Sequence, residues 1–120
     1  MAGVLVRIGK LPALHELRQL LSARGRATVV GAAGSGPAAV AAWLALSVRT
    51  PMVALCAGSE EAEEFAEDAN LFHEGLACHF PDMEVLPGDI EQPSEAILRA
   101  RLSVLRHLAF GDTGERGDQA

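Results

Sequence analysis

The chain has 120 residues and a mass of 12.6 kDa, the size of one domain. It is 49% hydrophobic, 22% charged and 4% aromatic, with a formal net charge of −6. That composition excludes a chain disordered throughout. A membrane span of ~20 apolar residues is also excluded, because Arg49, the acids of 60–67 and the arginines of 99–106 interrupt every candidate.

The first residues, Met1–Arg7, lack the charged, apolar, small-residue order of a secretory leader, so a cytoplasmic protein is expected. Leu11, Leu14, Leu17, Leu20 and Leu21 recur at helical spacing behind Pro12, and Gly25 closes that helix. Ala27–Gly31 is a short β-branched run bounded by small residues, the profile of a buried parallel strand. A glycine-rich turn, 32–36, leads to Pro37 at a helix start, and the helix runs to Val48 before Pro51 forbids continuation. Met52–Cys56 repeats the strand pattern.

Ser59 and the acids behind it mark the start of the next helix, which Gly75 ends, with Ala62, Phe65, Ala66, Ala69 and Phe72 as its buried stripe. Leu76–Phe80 suggests a third strand, and Met83–Leu86, between Pro81 and Pro87, a short extended piece. Ser94 suits the N-cap of a last helix with an apolar face of Ile97, Leu98, Leu102, Leu105 and Leu108. From residue 111 to the end nothing apolar remains except Ala120, and a disordered tail 111–120 is expected behind a single subdomain 1–110. Alternating helices and strands predict an α/β fold, an open parallel sheet of three to four strands with flanking helices, on the plan of a degenerate P-loop NTPase.

The charge is unevenly spread. Residues 1–26 carry five basic side chains against one acid, Glu16, whereas Glu60 to Glu95 holds twelve acids and no lysine or arginine. That middle stretch would repel a polyanion, so no direct nucleic-acid contact is expected through it. The run from Glu60 to Asp68 suits a solvated helix face whose first turns complement the positive end of the helix dipole.

A strand, a glycine loop and a helix in that order is where phosphates bind. Gly31, Gly34, Ser35 and Gly36 supply the loop, but Pro37 stands where a P-loop has its lysine and Ala38 where it has its magnesium-binding hydroxyl. The phosphate turn is therefore degenerate, and no ATP hydrolysis is expected. Gly34–Ala39 also fits a dinucleotide fingerprint, though no acid ends the following strand. Ser35 has no adjacent base, and Cys56 and Cys78, expected as reduced buried thiols, are not paired with a basic group that would favour thiolate. His73 and His79 lack metal-ligand spacing. No catalytic residue, metal or cofactor is assigned.

Two stretches carry a resemblance. Val29 to Ala38, Val-Val-Gly-Ala-Ala-Gly-Ser-Gly-Pro-Ala, is similar to a P-loop that has lost its lysine. Phe80-Pro81-Asp82-Met83-Glu84-Val85-Leu86-Pro87, then Pro93-Ser94, then Ile97, Arg101-Leu102, Leu105 and Leu108, resembles a block made of a "PDWE-LP" turn, an "SP" cap and an "RL--L--L" helix. Together they resemble the N-terminal UvrB-like module of the bacterial transcription-repair coupling factor, a DNA-repair translocase. Met83 replaces the usual tryptophan, and Gly88-Asp89 stands where the family tends to have an aromatic and an acid.

The resemblance implies a non-catalytic scaffold or protein-interaction subdomain of a transcription-coupled repair factor, either a fragment or a truncated copy. Its partners would be the rest of such a factor or a UvrA-type repair protein. The family's motor and the subdomain that contacts UvrA do not fit within this length. Glu60, Glu61 and Glu64 on the acidic helix, Asp82 and Glu84 in the proline-rich loop, and Arg101 are the interaction candidates. An open sheet edge would seek a partner, so a homodimer is a further expectation. The alternative function is an α/β nucleotide-binding module using the Gly31–Gly36 turn.

Overall fold

The computed structural model describes residues 2–83, 85–88 and 92–111. Five helices follow one another: α1 (Ala2–Gly9), α2 (Pro12–Arg24), α3 (Gly36–Val48), α4 (Ser59–Phe72) and α5 (Glu95–Phe110). Each boundary has a local cause. Pro12 occupies the first turn of α2, where its missing N–H is no loss. Gly25 ends α2 in the left-handed conformation at φ 70°, its N–H donating to Leu21 O. Pro37 serves α3 as Pro12 serves α2. The Ser94 hydroxyl accepts from Ile97 N–H at 3.3 Å, which caps α5, and the Gly111 N–H closes that helix on His107 O at 2.7 Å. The N-cap of α4 is Gly58 rather than Ser59, which already lies in the helix. Helix α1 was not foreseen by the sequence reading.

Among the described residues there is no strand and no sheet, so the α/β expectation, with its parallel layer of three to four strands and P-loop plan, is corrected to an all-helical fold. The segments read as strands are without helix and lie outside any ladder. No backbone–backbone hydrogen bond leaves residues 26–32 or 50–57 in the direction of one another or of 77–83. Val30 is 88% exposed and Leu55 93% exposed, whereas a central parallel strand is covered on both faces. Sheet formation needs non-local partners at about 4.8 Å, and nothing in a five-residue run supplies them.

One of these segments is held by a side chain instead. Asn70 of α4 donates from Nδ2 to Ala77 O at 3.0 Å and accepts from Ala77 N–H at 2.8 Å, satisfying both backbone groups of Ala77 as a neighbouring strand would.

The core is small and built of small residues: Leu5, Leu14, Leu17, Ala38, Ala39, Ala42 and Ala69. Helix α3 is the hub and packs against α4 and α1, its buried alanines letting the backbones approach closely. At the α1–α3 crossing a Cβ on Gly9 would stand 2.5 Å from Trp43 Nε1, so glycine makes room for the indole. Helix α5 buries no residue. The remainder of the tail expected at 111–120, residues 112–120, lies outside the described residues.

Candidate functional site

Two places carry the residues that the sequence singled out. The first is the turn before α3. Gly31 has φ 86° and Gly34 φ 59°, both in the left-handed region that favours glycine, and Ser35 follows at φ −80° and ψ 0°. Gly36 N–H donates to Ala33 O at 3.0 Å, closing a four-residue turn. One amide that a phosphate would use is thus taken. Pro37 has no N–H to offer, and Ala38, where a P-loop has its hydroxyl, is 2% exposed and packed into the helical core. The Ser35 side chain makes no capping hydrogen bond. With no strand delivering the chain into this turn, the geometry lacks the frame on which phosphate loops rest.

The second place is a groove of about 340 Å³ where residues 53–56, the start of α4, residues 79–82 and Arg101 of α5 converge. Arg101 organises one wall. Its guanidinium lies 4.0 Å from the Phe80 ring centroid, and its Nη1 donates to Pro81 O at 2.6 Å, across twenty positions of sequence. Asp82 lines the same groove and is exposed. His79 also lines it, with a buried Nε2 that has no hydrogen-bond partner. The positive end of α4 opens here at Gly58 and Ser59, but Glu61 folds back over it. A Cβ on Gly58 would lie 2.6 Å from Glu61 Oε2, so this chain's own carboxylate occupies the place an anion would take.

The structure therefore brings Arg101 and Asp82 together and sets Glu60, Glu61 and Glu64 on the exposed surface of the adjoining helix, outside the groove lining. Glu84 lies outside the described residues. Sequence reasoning missed His79 and Phe80 as members of this groove, because their juxtaposition with α5 depends on contacts twenty residues apart. It also missed Asn70, whose one signal was a polar amide on the inner side of α4 among Ala66, Ala69 and His73.

Neither thiol is fully buried as expected: Cys56 is half-buried and Cys78 exposed, both free. Among the described residues no cluster of three or more His, Cys, Asp or Glu could hold a metal ion. The groove is lined by one guanidinium, one carboxylate, one imidazole, the Cys56 thiol, the Ser59 hydroxyl and apolar side chains. Among the described residues no helix is long and apolar enough to cross a membrane. No family model, no curated protein and no solved structure matches this chain.

Proposed function

We propose that the chain is a non-catalytic, UvrB-like scaffold and protein-interaction subdomain of a transcription-coupled DNA repair factor. The reading rests on the resemblance of residues 80–108 to the N-terminal module of the transcription-repair coupling factor. One observation supports it: Arg101 reaches back to Phe80 and Pro81. The arginine of the "RL--L--L" helix and the opening of the "PDWE-LP" turn are thus one physical unit, which gives the spacing of that block a reason. The acidic face of α4, with Glu60, Glu61 and Glu64 exposed beside this unit, is the contact surface in this reading. The alternative, a nucleotide-binding module, has no observation in its favour, since the glycine turn has spent an amide on itself and lacks both the lysine and the hydroxyl.

Calorimetric titration of the full chain with UvrA tests the proposal. Binding at about micromolar affinity, weakened at least about tenfold by the combined changes Glu60→Lys, Glu61→Lys and Glu64→Lys, is the expected result. An intact, helical chain that gives no heat with UvrA overturns it.

A further inference from the structure

Helix α5 carries two apolar strips. Ile97, Arg101 and Val104 are half-buried and turn towards the rest of the chain, while Leu98, Leu102 and Leu105 lie on the neighbouring strip and face solvent. Leu102 is 65% exposed. The three leucines are four and then three residues apart, and Ala109 continues the series, which is the spacing of a coiled-coil seam, while Leu108, 41% exposed, and Phe110, 69% exposed, add apolar surface beside its C-terminal end. Arg99 and Arg106 flank the seam on one side; Arg101 lies on the other, its guanidinium drawn inward to Phe80 and Pro81.

We infer that this seam docks an acidic amphipathic helix of a partner chain, with apolar residues at its own seam and carboxylates on its flanks. The charges decide the occupant. Two copies of α5 packed antiparallel would set Arg99 against Arg106, and packed parallel would set Arg101 against Arg106, so self-pairing is repulsive in both directions. Helix α4 of a second copy has the acids but not the apolar column, because Ala62, Phe65, Ala66 and Ala69 of that helix are turned inward. Arg99 pairs with Glu95 at 2.5 Å, but both side chains are 78% exposed, so the guanidinium stays open to a second carboxylate. The inference stands on α5 alone and does not depend on the proposed repair role.

Anisotropy titration of the full chain with a labelled three-heptad peptide, leucine at its seam and glutamate on its flanks, tests this. The same peptide with lysine on its flanks is the control. The glutamate peptide should bind at least about tenfold tighter than the lysine peptide. Arg99→Glu with Arg106→Glu should reverse that order, and Leu102→Asp should abolish binding while the circular dichroism spectrum stays that of the parent, since Leu102 is 65% exposed. Equal affinity for both peptides, no affinity for either, or undiminished binding by the Leu102→Asp chain overturns the inference. Adsorption to phosphatidylserine vesicles without peptide binding overturns it as well and assigns the seam to a lipid surface.

Discussion

Arg49 is the one non-glycine residue among those described that has a positive φ, 56°, and it sits there to end α3 with its N–H on Ala45 O at 3.1 Å. A side chain in this region crowds the following carbonyl, whereas glycine enters it freely. Arg49→Gly should therefore raise the free energy of unfolding by about 0.5–1 kcal/mol, read as a higher urea midpoint at unchanged slope. An unchanged or lower midpoint would show that the arginine side chain contributes more than its backbone costs. The same scale governs Arg101. Its presence in the sequence marked it as an interaction residue, but its cation–π and carbonyl contacts turn much of its donor capacity inward, so what it offers a partner is charge more than free hydrogen bonds.

Among the elements, the segment 76–80 has both backbone groups of Ala77 held by one side chain, that of Asn70. Replacing Asn70 by alanine removes both hydrogen bonds to Ala77 and should destabilise the chain by about 1–2 kcal/mol, with faster hydrogen exchange at the Ala77 amide than at amides in the middle of α3. Exchange at Ala77 unaffected by Asn70→Ala would mean that the clamp does not order the segment. Helices α2 to α5 were legible in the sequence because their signals are local: Pro12, Gly25, Pro37, Ser94 and runs of leucine or alanine at helical spacing. Helix α1 was not, because it is only eight residues long, with glycines at 3 and 9 and β-branched Val4, Val6 and Ile8, none of which favours a helix. The runs expected as strands form no sheet, since a ladder is a property of two segments and each was read alone. The candidate site shows the same division. Asp82 and Arg101 could be named from the family block, but the Phe80 and Pro81 contacts that bring them together lie across a loop whose path no local rule dictates.

For the whole molecule, the accessible surface is 9635 Å², against about 6,200 Å² for a compact monomer of this mass. The radius of gyration is 16.8 Å, against about 13.6 Å by the usual scaling. Folding therefore hides only about 70% of the area that a compact chain of this size would hide. The slope of unfolding free energy against urea follows that area, so it should fall about 30% below that of compact domains of equal length. A slope equal to theirs would mean that the exposed runs 26–32 and 50–57 are covered in solution, for instance by self-association through them, and would be accompanied by concentration dependence of the midpoint.

The placement of Trp43 has a practical optical meaning. The chain has one tryptophan and no tyrosine, so its near-ultraviolet absorption and its fluorescence come almost wholly from a ring lodged against Gly9 at the α1–α3 crossing. Its emission thus reports the docking of the first helix and little else, while far-ultraviolet ellipticity averages over all five. Should the two signals melt at different temperatures, α1 leaves the hub before the rest of the chain unravels. Should they coincide, eight residues with one buried leucine unfold as part of the same cooperative unit as the alanine core.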